Sequence, residues 1–377
     1  MDLNKYCTYS EIRQQPVVWR KQYENMLSQK DVISEFVNHY VSEGYEIYLT
    51  GAGTSAYIGD ALSFAFYDGI FKNCRSVSTT DIVTNYKAFF TPGRKILLIS
   101  FARSGNSPES VGAVNIANSV LGDSIAHIFI TCNSDGELAK MAKGASNVLL
   151  VLLPPETNDK SLAMTSSFST MAMSCLILSD INRADYMRKA VDTASAMTAS
   201  AMERYMSVIQ EVASRKFSRA VFLGSGMLKG IAEESHLKLQ ELTDGEVMCT
   251  FDSFLGFRHG PKAVVKEDTL MVYLISSDPY IRQYELDLIR QINENNKFVA
   301  QIAVSMDKVI IEGVSFDAEI IFGGEAEGIE PYAYVPFVFT AQLLGMFKSI
   351  DLGLSPDSPS KSGNIHRVVK GVTIYNI

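Results

Sequence analysis

Apolar positions along this chain fall into two kinds of run. Short β-rich runs at residues 46–50, 95–100, 127–132 and 147–153 are separated by longer amphipathic stretches with apolar residues at helical spacing. That alternation predicts βαβ units and a parallel sheet. The scheme then recurs at 219–223, 269–276, 299–305 and 318–322. Four pairs of landmarks, Gly51 with Gly224, Ser100 with Ser276, Ile130 with Val304 and Leu150 with Ile321, lie 171 to 176 positions apart. A constant offset over four strands reads as a duplication. The expected fold is therefore α/β: two tandem domains, each a doubly wound parallel sheet flanked by helices in three αβα layers. The expected boundaries are a helical segment over 1–45, a first domain over 46–200, a second over 216–350 and a tail over 351–377. A long helix is predicted over 186–214. The tail is rich in Ser, Gly and Pro, which predicts irregular backbone, yet it gathers His366, Arg367 and Lys370.

Composition narrows the function. The 377 residues are 47% hydrophobic and 20% charged, as in a folded chain of about two domains. Lys and Arg number 34 against 42 Asp and Glu, a net charge of −8 that opposes a phosphate backbone, so nucleic acid is not an expected partner. The first sixteen residues lack the basic and apolar regions of a secretory signal. No uninterrupted apolar run is longer than residues 148–153, well short of the roughly 20 residues that cross a bilayer, so no membrane partner is expected. Five scattered cysteines with no CxxC pair fit a reducing, cytoplasmic location, and five histidines with no close ligand pair imply neither metal nor organic cofactor.

Candidate chemistry gathers after the strands. The first strand runs into TGAGTSAYIGDA, where Gly53, Thr54 and Ser55 open a helix and aim backbone N–H groups at an anion. A simple strand-to-helix turn with a hydroxyl cap explains the same residues. The next strand ends in ISFARSGNSPES, which places Arg103, Ser104, Asn106 and Ser107 at the same carboxyl edge and favours a small phosphate site. Domain two keeps the first turn as Gly224–Gly226 but has Asp278 and Pro279 in the second, as though its copy has lost the phosphate. Thr165 and Ser166, in AMTSSFST, either cap a helix or line the pocket. In domain two, Glu234, Lys238 and Glu241 share one helix face. They form either a solvated ion pair or a partly buried carboxylate able to act as a general base. His259 lies on a loop before Gly260-Pro261.

Together the turn GTS at 53–55, SGNS at 104–107, LKLQEL at 237–242, HGP at 259–261 and VVKGVT at 368–373 resemble the sugar isomerase (SIS) family, and in particular the isomerase half of glucosamine-6-phosphate synthase. The resemblance covers nearly the whole chain as two tandem SIS domains. It implies that Thr54, Ser55, Ser104 and Ser107 bind a sugar phosphate, with Arg103 beside them. It also implies that Glu241 moves a proton between C1 and C2, with Lys238 next to it. His259 would assist ring opening from a neighbouring subunit, and Lys370, in a tail that closes the site, would meet the open-chain carbonyl or form a Schiff base. A homodimer or higher homo-oligomer with shared active sites is implied. ISFARSGNSPESV, AMTSSFST and GFRHGPK look most similar to the galactosamine-6-phosphate branch of the family. The synthase's glutaminase domain is missing and its SGET turn becomes SGNS. The resemblance therefore implies deaminating isomerisation to tagatose 6-phosphate and ammonia. Plain aldose–ketose isomerisation and a non-catalytic sugar-phosphate sensor are the alternatives.

Overall fold

The computed structural model describes every residue except Met1, Asp68, Glu325, Ala326, Ser362 and Lys370. The chain forms two compact modules. Module one comprises Val17–Asp159, Ser166–Val191 and Ile365–Ile377, and module two comprises Met1–Pro16, Lys160–Thr165 and Asp192–Asn364.

Helices α1 (Cys7–Leu27) and α2 (Lys30–Ser42) precede the first sheet. Module one then carries strands β1 (Glu46–Thr50), β2 (Arg75–Ser76), β3 (Ile96–Ala102), β4 (Ile125–Thr131) and β5 (Val148–Leu152). Helices α3 (Thr54–Leu62), α4 (Thr79–Asn85), α5 (Pro108–Leu121) and α6 (Glu137–Met141) connect them, and α7 (Ser166–Ser179) and α8 (Ala184–Ala213) follow. Module two carries β6 (Arg219–Leu223), α9 (Met227–Leu242), β7 (Met248–Asp252), α10 (Phe254–Phe257), β8 (Thr269–Leu274), α11 (Pro279–Asn295), β9 (Ala300–Ser305) and β10 (Ala318–Ile321). It closes with α12 (Glu330–Tyr334) and α13 (Val338–Asp351).

Among the described residues each sheet has five parallel strands, in the order β2-β1-β3-β4-β5 and, in module two, β7-β6-β8-β9-β10. The two orders are the same when read from the strand that each module adds at its edge, as the repeat in the sequence implies. Every residue of β3, β4, β8 and β9 is buried, because a parallel sheet is covered by helices on both faces. The sequence reading missed β2 and β7. The first is two residues long, and the second has no fully buried position, so neither carries the apolar run by which the others are recognised.

The expectation that no segment is apolar enough to span a bilayer needs correction. Residues 330–351 form a helical run of 22 residues, long and apolar enough to cross a membrane, and 94% of its most apolar stretch is buried inside the protein. The search for uninterrupted runs overlooked it because Thr340, Gln342 and Gly345 break the apolar sequence. The run is a core element: α13 packs along α9, and the contact is close enough to require glycine. A Cβ at Gly345 would stand 3.0 Å from the Lys238 carbonyl oxygen and 2.8 Å from Leu242 Cδ1. We expect Gly345→Ala to destabilise the protein by about 1–3 kcal/mol in urea unfolding, as overpacked cores do, and to reduce turnover through displacement of α9. Wild-type values for both would show that this contact yields freely.

Candidate functional site

In a sheet of order 2-1-3-4-5 the chain reverses direction across the sheet between β1 and β3, and ligands bind beyond the carboxyl ends of the strands at that point. The two turns picked out from the sequence leave these two strands. Between β1 and α3, Gly51 has no room for a side chain: a Cβ would meet the Ser55 carbonyl carbon at 2.4 Å. Gly53, at φ +54° and ψ −130°, occupies backbone space open to glycine and supplies the N-cap of α3 without any side-chain cap. Thr54 and Ser55 are buried in the first turn.

The second turn is braced from outside. Asn133 Nδ2 donates to the Ser104 carbonyl at 2.9 Å, Ser104 Oγ accepts from the Asn106 N–H at 3.2 Å, and Asn106 Oδ1 accepts from the Glu137 N–H at 2.9 Å. Asn106 thus holds the turn to the start of α6. Ser107 is the N-cap of α5 but makes no side-chain cap; its hydroxyl donates to Ser110 Oγ at 2.6 Å. Neither N-cap at the switch point, Gly53 or Ser107, gives its helix a side-chain cap, an arrangement that suits an anion.

Arg103 is buried, and its Nη2 donates to the Arg367 carbonyl at 2.5 Å. Ser166 Oγ donates to Asp159 Oδ1 at 2.5 Å, and Asp159 Oδ2 accepts from the Ser167 N–H at 2.9 Å and the Ser167 hydroxyl at 2.6 Å. The hydroxyl cluster, with Asp159, caps α7. Thr165 is buried in module two, where its carbonyl accepts from Gln342 Nε2 at 3.4 Å.

Module two repeats the first turn: Gly226, at φ +56° and ψ −126°, caps α9 as Gly53 caps α3. The side chains at the turn have changed. Met227 and Leu228 stand where module one has Thr54 and Ser55, and Asp278 replaces Ser107. Asp278 Oδ1 accepts from the N–H groups of Tyr280 and Ile281 at 2.7 and 3.1 Å, so the anion at this helix end is the protein's own. Glu285, fully buried where module one has Val114, accepts from the Ser276 N–H at 2.8 Å. Burial pushes its pKa up to about 7, against the hydrogen bonds from Ser225 and Ser276 that favour the carboxylate. The sequence reading had no signal for this residue beyond a glutamate on an amphipathic helix.

On α9 the Glu–Lys pair is not a solvated one. Lys238 is fully buried, with Nζ 3.2 Å from Glu234 Oε1 and 2.7 Å from Glu241 Oε2; Glu234 is buried too, while the Glu241 side chain keeps 24% of its exposure. Burial alone would lower the Lys238 pKa, but the two carboxylates outweigh it and hold the ammonium charged. Glu241 is thus fixed by a buried cation at one oxygen while part of its side chain faces outward, which is the geometry a general base needs. His259 follows α10 on an exposed loop, its N–H bonded to the Gly256 carbonyl at 2.9 Å. Among the described residues no hydrogen bond or ion pair joins its ring to Glu241. Lys370 lies outside the described residues.

The comparisons with known proteins agree with this architecture. A SIS domain model matches residues 40–179. The D-galactosamine-6-phosphate deaminase AgaS of Escherichia coli O157:H7 is 40% identical over 372 residues, covering 98% of this chain and 95% of the relative. The protein of the same name from Shewanella sp. strain ANA-3 is 37% identical and covers 98% and 92%. Among solved structures, the tagatose-6-phosphate ketose/aldose isomerase of Escherichia coli superposes with a TM-score of 0.89 at 36% identity, covering 100% of this chain and 98% of that one. The chain therefore belongs to the SIS-domain family. Within that family it is an enzyme of the sugar-phosphate isomerase and deaminase group.

Two tests follow from the buried charges. Lys238→Met removes the ammonium from beside the buried Glu234 and should cost about 3–5 kcal/mol in urea unfolding, most of it recovered in the double variant with Glu234→Leu. A loss below 1 kcal/mol would mean that the carboxylates rearrange. Because its folded pKa is raised, Glu285 destabilises the fold as pH climbs from about 4.5 to about 7, where the unfolded chain ionises first. Glu285→Gln should accordingly match wild type near pH 4.5 and exceed its stability by about 3 kcal/mol at pH 8. The comparison cancels the opposite contribution of His127, whose burial lowers its pKa to about 4. A difference that does not vary with pH would remove Glu285 from this account.

Proposed function

We propose that this enzyme converts galactosamine 6-phosphate and water to tagatose 6-phosphate and ammonia. The observation that carries the reading is Glu241, a partly exposed carboxylate pinned by the buried Lys238 ammonium. The uncapped starts of α3 and α5 support a phosphate role for Gly53, Thr54, Ser55, Ser104 and Ser107. The near-full-length identity to the named deaminases supports the substrate.

In this mechanism the ring opens to the C1 aldehyde, with His259 moving the proton between O5 and O1. Glu241 removes the C2 proton, giving a C1–C2 enaminol, and returns a proton to C1. C1 becomes a hydroxymethyl group and C2 an imine. Water adds to C2 and ammonia departs, leaving the ketone. The reaction is redox-neutral. Lys370 is assigned the electrostatic support, or transient covalent capture, of the open-chain carbon. We assign His259 to the site of a neighbouring subunit, which makes a homodimer the smallest complete enzyme.

The second reading, isomerisation without loss of nitrogen, is favoured by the name of the solved Escherichia coli relative. The phosphate turns and Glu241 serve both readings. The two separate in one assay: purified protein given galactosamine 6-phosphate should release ammonium and ketose phosphate in equal amounts. Glu241→Gln should lower kcat by at least 10³-fold while binding of the sugar phosphate changes only a few-fold, because the amide keeps the shape and loses the base. Conversion of galactose 6-phosphate to tagatose 6-phosphate, with galactosamine 6-phosphate inert, would replace the first reading with the second.

A further inference from the structure

The C-terminal segment of module one is fastened on either side of position 370. Before it, Arg367 is bound through its guanidinium fork: Nε donates to the Asp159 carbonyl at 2.8 Å, and Nη2 donates to Asn158 Oδ1 at 2.7 Å and to the Asn158 carbonyl at 3.4 Å. Its own carbonyl takes the hydrogen bond from Arg103. After position 370, Ile374 rests on α5 at the one place where a helix residue has no side chain. A Cβ on Gly112 would come within 3.1 Å of both Cγ1 and Cγ2 of Ile374. Residues Ile374–Ile377 also wall a groove of about 650 Å³ with Asn106, Pro108 and Val111.

The fastenings through Arg103 and Gly112 lie on the β3–α5 side of the candidate phosphate site. Arg103 belongs to the turn between β3 and α5, Gly112 lies in the second turn of α5, and Asp159 is the carboxylate that caps α7. The Arg103 Nη2 donates across to the Arg367 carbonyl, a geometry that suits a brace. We propose that Arg103 and Arg367 are positioning residues that moor the segment carrying Lys370 to the phosphate turn, with Gly112 and Ile374 as the second mooring. The fork makes arginine necessary at 367, since a lysine supplies one point of attachment where Arg367 uses two nitrogens. The benefit to catalysis rests on the function proposed above; the mooring itself does not.

The test uses the full-length enzyme and two readouts. Amide hydrogen exchange of peptides within 365–377 should be at least tenfold faster in Arg367→Ala than in wild type, with exchange in β3 and β4 unchanged. Arg367→Lys should fall between. Gly112→Leu, which displaces Ile374 without touching an arginine, should also accelerate exchange over 371–377. With galactosamine 6-phosphate, Arg367→Ala and Arg103→Lys should each lower kcat at least tenfold, while the concentration of inorganic phosphate needed for half-inhibition changes less than threefold. Wild-type exchange in Arg367→Ala would overturn the mooring whatever the substrate. Faster exchange with unchanged kcat, or a loss confined to phosphate inhibition, would overturn the positioning role. Wild-type enzyme inert on galactosamine 6-phosphate would count against the proposed function, and the exchange measurement would still decide the mooring.

Discussion

A parallel sheet covered on both faces leaves its chain few places for polar chemistry. The strands themselves are filled with apolar side chains, and the helices that cover them spend their inner faces on packing. What remains open is the edge where strands end and helices begin, and there the backbone presents unpaired N–H groups whether or not a ligand exists. Each module meets that demand differently. Module one leaves the starts of α3 and α5 without side-chain caps, and module two leaves that of α9 so but supplies the Asp278 carboxylate at α11. The assignment of roles to the two halves follows from how each satisfies the same backbone.

The parts of this fold that the sequence announces are those decided locally. Strands β3, β4, β8 and β9 are buried on both faces, so their residues are apolar in succession and legible as runs. The glycine turns are legible because Gly51 and Gly53 perform tasks no other residue performs. Elements decided by distant partners are not legible in this way. Glu234 and Lys238 show the spacing of a solvated pair; what buries them is packing that includes α13, a hundred residues further on. Ser166 reads equally as ligand or cap until Asp159, seven positions earlier, is seen to hold it. Arg103 reads as part of a phosphate turn, yet its Nη2 donates to a carbonyl 264 residues away.

The same contrast explains why the duplication is easier to see than its purpose. Gly53 and Gly226 share one backbone conformation to within a few degrees, so the scaffold of the turn is retained in both halves. The side chains around that scaffold have diverged: hydroxyls at 54 and 55 correspond to Met227 and Leu228. The catalytic candidates Glu234, Lys238 and Glu241 lie on α9, the helix that follows the altered turn. The half whose second turn is capped by its own carboxylate thus carries these ionisable groups.

Asp278 and Glu285 give that divergence a direction. Recovering a phosphate site in module two would require both carboxylates to go. Loss of Asp278 alone leaves two backbone N–H groups without their acceptor. An amide at 285 keeps an acceptor for the Ser276 N–H and leaves the Asp278 carboxylate in place, so a lineage passing through either single substitution gains no phosphate site. The specialisation of the two halves is therefore held in place as by a ratchet, and descendants of this gene are expected to vary the open site of module one far more readily than to reopen the closed one.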